Sequence, residues 1–265
     1  MQMYQVDAFT DRVFAGNPAA VLVLNDWPSE DLMQAIAQEN NLAETAFVKP
    51  RTDGAWDLRW FTPSQEVDFC GHATLAAAHI LFTTLQVASP VTFHAKIGLL
   101  HTAQVSEGYQ LDLPRLDPVA VDHLPDALQK MFATPPLALF EAAGNLFVDL
   151  GSADGVRGFR PDLTAISTLG AGGLVVTGQA DVDDKADFVS RYFAPGVGIP
   201  EDPVTGSIHA TLMPYWAQKL GRDHLLAYQA SPRGGWLGCA LTTDRVLVSG
   251  QAVTFMHANI RLPAA

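Results

Sequence analysis

Cysteine is nearly absent from this chain, with only Cys70 and Cys239 among 265 residues. Two thiols cannot staple a fold of this length, so a disulfide scaffold is excluded and the core must rest on apolar packing. Positive charge is also scarce: 16 Lys plus Arg stand against 28 Asp plus Glu, a formal net charge of -12. That balance disfavours a broad nucleic-acid or anionic-membrane interface, because both need clustered cations. It leaves room for an acidic small molecule, since a few local donors govern a buried pocket. No apolar run approaches the roughly 18 residues of a spanning helix. The opening residues lack a basic region ahead of a hydrophobic core, so the expected location is cytoplasmic.

What is present describes a compact globular chain, 48% hydrophobic and 17% charged, and long enough for two modest domains. Residues 4–9, 19–24 and 56–61 read as strands, with a Gly16-Asn17-Pro18 turn between the first two. Pro28 and Ser29 precede a helix with Glu30 and Asp31 early and Leu32, Met33, Ile36 and Ala37 on its apolar side. A second helix is expected over residues 73–82. The prolines at 114 and 118 suggest a boundary between a domain of residues 1–115 and one of residues 116–265. The last strand is free to pack back onto the first domain. In the second half, residues 146–150 and 173–177 read as strands and 184–189 as a short helix or turn. Residues 207–220 read as a helix made irregular by Pro214, and 245–255 as a terminal hairpin. Short strands joined by turns fit a mixed or antiparallel sheet around a helix better than regular βαβ units.

Two Gly-rich polar turns carry the chemistry. Asp68-Phe69-Cys70-Gly71-His72-Ala73-Thr74 and Glu201-Asp202-Pro203-Val204-Thr205-Gly206-Ser207 each follow extended sequence and open a helix. A helix start exposes backbone N–H donors that suit a substrate carboxylate. Glu44 adds a carboxyl in the otherwise apolar run Leu42-Ala43-Glu44-Thr45. A carboxyl removed from water holds a proton more readily, which suits it to take and return one near neutral pH. The Gly turns lack Rossmann or Walker spacing, no Gly-x-Ser-x-Gly elbow surrounds Ser207, and His, Cys and acids show no zinc spacing. No metal and no cofactor is therefore expected.

The runs at residues 14–21, 42–47 and 61–73, continued by 191–195 and 198–209, resemble the phenazine-biosynthesis PhzF-like family. Tyr228-Gln229 and Arg233-Gly234-Gly235 match it more loosely. The resemblance implies a diaminopimelate-epimerase-like α/β or α+β fold: two similar domains, each with a mixed, largely antiparallel sheet wrapped around a central helix, and an active cleft between them. It implies a homodimer and a cofactor-independent isomerase that moves a proton on a small carboxylate-bearing metabolite. Glu44, His72 and Asp202 match the family's catalytic positions, while Gly71, Gly206 and Ser207 match its ligand-binding turns. Asn17, in the early turn, borders the same site. Cys70 has no cysteine counterpart in the second half, where Asp202 stands, which argues against a two-thiol epimerase.

Each residue also has a plainer use. Glu44 could end a strand and face solvent, and His72 could only brace its turn. Asp202 could hold an amine or hydroxyl, orient His72, or cap the following helix; Ser207 could cap it equally well. Gly71 and Gly206 could serve the backbone alone. Cys70 suits packing. The competing functions are an epimerase or racemase of a small amino or hydroxy acid, and a non-catalytic metabolite-binding or protein-interaction module.

Overall fold

The computed structural model describes residues 1–262. The chain divides into two units, Met1–Leu113 joined by the segment from Ser249 onward, and Pro114–Val248.

In the first unit the strand Gln2–Ala8 is flanked on both edges by antiparallel partners, Asn17–Val23 and the late strand Ala252–Asn259. Asn17–Val23 then runs parallel to Glu44–Pro50, with Ala19 opposite Glu44. The helix Glu30–Asn40 makes that crossover. Ser29 caps it by accepting the Leu32 N–H at 3.3 Å, Glu30 and Asp31 fill its first turn, and Met33, Ile36 and Ala37 face inward. Glu44–Pro50 pairs antiparallel with Trp56–Phe61, which runs parallel to Val91–Ala95.

The helix Gly71–Thr83 is different in kind. Every residue from Gly71 to Phe82 is buried, and Ala73, Leu75, Ala76, Ala77, Ala78, Ile80 and Leu81 are 0% exposed. A helix apolar on all sides must be surrounded. Strands Gln2–Ala8, Asn17–Val23, Glu44–Pro50, Gly98–Val105 and Ala252–Asn259 all pack on it. His79, polar and buried midway along it, is satisfied on both nitrogens, by the Tyr109 hydroxyl and the Thr254 hydroxyl, each at 2.8 Å.

The second unit repeats the plan with other residues. Leu174–Gln179 is parallel to Asn145–Ser152 and antiparallel to Phe188–Ala194. Phe188–Ala194 is antiparallel to Ile199–Asp202 and parallel to His224–Gln229. The helix His209–Leu220 packs on His224–Gln229 and Gly235–Leu241, with Trp216 stacked on Phe188 and its indole N–H donated to Thr177 at 3.0 Å. Both units are thus mixed and largely antiparallel, as expected.

Pro214 does not break this helix. A proline cannot donate to the carbonyl four residues back, and here that carbonyl, of Ala210, accepts the N–H of Leu116 at 3.1 Å instead. Two expectations need correction. Residues 188 and 189 belong to a strand, not to a short helix or turn. The helix opens at His209 rather than Ser207, because His209 and Ala210 close tight turns onto the carbonyls of Gly206 and Ser207. The final strand pairs along its whole length with Gln2–Ala8, in the first unit.

Candidate active site

In the first unit the parallel pairing of Asn17–Val23 with Glu44–Pro50 places the first residues of both strands near the start of the buried helix. Gly16 makes the entry possible. Its φ is +63°, and a Cβ there would lie 2.1 Å from the Ala8 carbonyl oxygen, so only glycine fits. Asn17, 0% exposed, sets its amide nitrogen 3.1 Å from His72 Nδ1. Glu44 is 8% exposed and His72 4%, and Glu44 Oε2 lies 3.1 Å from His72 Nε2.

That last contact is close but misaligned. Neither Glu44 Oε2 nor His72 Nε2 has a hydrogen-bond partner in the protein, although both atoms are fully buried. The distance puts them in ion-pair reach while the bent approach leaves each with unused bonding capacity. Leaving such groups unsatisfied costs on the order of 1–3 kcal/mol apiece.

The ring's protonation follows from its neighbours. With the Asn17 amide donating to Nδ1, the neutral imidazole carries its proton on Nε2, the nitrogen facing Glu44. Burial alone would drive the imidazolium pKa down, but the interactions with Cys70 and Glu44 outweigh it, and the pKa stands well above the ordinary value. An amide turned over accepts where it donated, so Asn17 can partner either protonation state.

Cys70 precedes the helix, and its sulfur lies 3.4 Å from His72 Nδ1. Burial, reinforced by the charge of Glu44, pushes its thiol up to about 11. At neutral pH it is a thiol, not a base. Glu44, Cys70 and His72 each offer a metal-ligating atom within 4.8 Å of one another, a grouping the sequence spacing did not suggest. Cys70 addresses one ring nitrogen and Glu44 the other, so the ring links the two groups rather than facing a common ion with them. The set suits proton exchange better than ion binding.

In the second unit Asp202 ends the strand Ile199–Asp202 and is 7% exposed. It does not cap the helix, and neither does Ser207: Ile208 occupies the cap position, with no side-chain cap bond. Instead the Thr205 hydroxyl donates to Asp202 Oδ2. Gln229, 0% exposed, accepts the Thr205 N–H at 2.8 Å and donates to the Asp202 carbonyl at 2.8 Å and to Thr205 Oγ1 at 3.1 Å. The neighbouring Glu201 has another use, a bidentate pair with Arg191 at 2.7 and 3.0 Å.

Both turns keep backbone donors open. The N–H groups of Gly71 and His72, and those of Gly206, Ser207 and Ile208, donate to no acceptor among the described residues. Neither Gly71 nor Gly206 has a positive φ, so glycine is not demanded there by backbone conformation. What it supplies is clearance for a group approaching the donors. Asn17, Glu44, Gly71 and His72 thus gather in the first unit, and Asp202, Gly206 and Ser207 in the second. Sequence reasoning passed over Thr205 and the work of Gln229, though both lie within matched runs.

Two mixed-sheet units, each opening a buried helix on a glycine turn, define the diaminopimelate-epimerase-like class of fold. The chain matches an uncharacterised isomerase of Pseudomonas aeruginosa at 45% identity over 263 residues, 99% of each chain. A crystal structure of a PhzF-family phenazine biosynthesis protein from Enterococcus faecalis is 42% identical, with a TM-score of 0.93 over 98% of this chain and 99% of that one. One of a putative phenazine biosynthesis PhzC/PhzF protein from Clostridium difficile (strain 630) is 38% identical, with a TM-score of 0.90 over 99% and 100%. The chain belongs to the PhzC-PhzF family of phenazine biosynthesis-like proteins, which it matches over residues 6–258. No helix among the described residues is long and apolar enough to cross a membrane.

Proposed function

We propose that this protein is a PhzF-like isomerase that moves a proton between carbons of a small carboxylate-bearing metabolite. The observation that carries this reading is the Glu44–His72 pair, buried, 3.1 Å apart and unsatisfied. Glu44 takes a proton from an activated carbon and returns it elsewhere on the skeleton. His72 stays within reach of that carboxyl and stabilises its charge through Nε2–H, while Asn17 holds the ring. The open N–H donors at Gly71 and at Gly206 and Ser207 bind the substrate carboxylate, and Asp202 holds a polar substituent such as an amine or hydroxyl. General acid–base chemistry needs placement and proton affinity together, and these groups divide the two tasks. The working form is a cytoplasmic homodimer, a state that light scattering on the purified protein decides.

The test is a panel of small carboxylic acids bearing an activated C–H, incubated with the protein in deuterated water and followed by proton NMR and mass spectrometry. Double-bond migration with deuterium gain is the expected result. Deuterium gain with inversion and no rearrangement makes the enzyme an epimerase. Ligand binding without exchange or rearrangement across the panel overturns catalysis in favour of a binding module.

A further inference from the structure

Thr205 has no hydrogen-bonding freedom left. Its N–H donates to Gln229 Oε1 at 2.8 Å, and its carbonyl accepts from His209 Nδ1 at 2.8 Å. Its hydroxyl oxygen accepts from Gln229 Nε2 at 3.1 Å, and the hydroxyl proton goes to Asp202 Oδ2. The logic of each contact is one-directional. An amide NH2 can only donate, so Gln229 Nε2 occupies a lone pair of Thr205 and cannot receive its proton. The single hydroxyl proton is left with Asp202 as its acceptor.

Gln229 itself cannot turn over. Its Oε1 faces an N–H and its Nε2 faces the Asp202 carbonyl, so the flipped amide would set like against like. His209 locks the other side. Burial holds its imidazole down at about 4, so it is neutral, and the one proton it carries sits on Nδ1 and points at the Thr205 carbonyl.

We propose that Thr205 and Gln229 are positioning residues, Gln229 fixing the Thr205 hydroxyl as a donor so that Asp202 is presented in one orientation, as a hydrogen-bond acceptor, to the substrate's polar substituent. This rests on the reading of Asp202 as a substrate-holding group. The hydroxyl also sorts protonation states, since a donor aimed at Oδ2 favours the carboxylate over the acid. Two titratable neighbours on the adjoining backbone, Tyr192 and Glu201, are engaged elsewhere. Tyr192, opposite Asp202 in the antiparallel pair, gives its hydroxyl to Asn145 at 3.0 Å. Burial, with the charge of Asp202, pushes Tyr192 up to about 12. Glu201 is occupied by Arg191.

The experiment is a carboxyl-carbon NMR titration of Asp202 in protein labelled at aspartate, its resonance assigned by Asp202→Asn. Thr205→Val, which keeps the shape and loses the hydroxyl, is expected to raise the Asp202 titration midpoint by about one pH unit, the loss of one charge-assisted bond. Thr205→Ser is expected to restore the parent midpoint. A role in folding alone would lower thermal stability in T205V and leave the midpoint unmoved, and that result overturns the proposal. Should T205V fail to fold, the intact protein decides. A Thr205 hydroxyl proton seen as a slowly exchanging resonance coupled to the Asp202 carboxyl supports the proposal, and a rapidly exchanging one overturns it. The titration needs no substrate. Failure of the isomerase reading would appear in the exchange assay and in D202N, and failure of this inference in the midpoint.

Discussion

The two glycine turns are alike in backbone and opposite in chemistry. At the first, the closest pair of functional atoms, on Glu44 and His72, is buried and left without a hydrogen bond. At the second, Asp202 is held by Thr205, and Thr205 is held in turn by Gln229 and His209. A group that must gain and lose a proton needs spare bonding capacity, because every fixed partner favours one of its two states. A group that must hold a substituent in place gains instead from a fixed orientation, with its remaining acceptor sites aimed one way. The same turn has therefore been tuned in two directions, one toward exchange and the other toward rigidity.

Removing the exchanging carboxyl should break that comparison most severely. Glu44→Gln (E44Q) keeps much of the shape but cannot cycle a proton, so turnover is expected to fall roughly 100–10,000-fold. Deuterium incorporation at saturating substrate checks this, and near-parent turnover in folded E44Q would sink the assignment. Asp202→Asn (D202N) should act differently, raising KM about 10-fold or more while the single-turnover chemical step changes less. If the chemical step collapses with KM unchanged, Asp202 moves a proton and the division between the turns is wrong.

A smaller effect separates the units by acid. His79 in the first and His209 in the second are buried and held down to about 4 against an ordinary 6.5. Between those values the unfolded chain binds more protons than the folded one. The stability tied to each is complete above about pH 6.5 and is lost as pH falls toward 4, on the order of 3 kcal/mol per imidazole. Urea midpoints compared at pH 7 and pH 5 should show the decline. His79→Gln and His209→Gln should each flatten it from a lower plateau, and unchanged slopes would remove these residues as its cause. Least affected should be Cys70→Ala, which removes a thiol with a pKa near 11. A loss under about 10-fold is expected, since general catalysis by a base that is protonated at pH 7 contributes little. A loss as large as that of E44Q would make the thiol a second proton carrier.

The legible and illegible parts of the site differ for a physical reason. Gly71 and His72 share one turn, and Glu44 begins a strand in an apolar run, so local sequence exposes their chemistry. Gln229 reaches Thr205 across 24 residues, through the parallel pairing that sets Ser190 beside Gln229. Nothing near position 229 announces that contact. Adjacent acids show the same limit: Glu201 and Asp202 look interchangeable until Arg191, on the neighbouring strand, claims the first. The mixed sheet and the helix near residues 73–82 were readable from short strands and a largely apolar stretch, but not the burial of every side of that helix. The survival of the helix through Pro214 was not, because it depends on Leu116 supplying the missing donor.

The pairing of Gln2–Ala8 with Ala252–Asn259 has a consequence for how the molecule is born. A ribosome delivers one of these strands before the whole second unit and the other after it. Throughout synthesis of the second unit, Gln2–Ala8 can pair with Asn17–Val23 on one edge while its other edge stays open. An open edge is a template for stray strands, and closing it waits on a contact of very high sequence separation, the slow kind to form. Glu44 and His72 are therefore translated before the second unit, yet the unit that carries them is completed only after that second unit has been made.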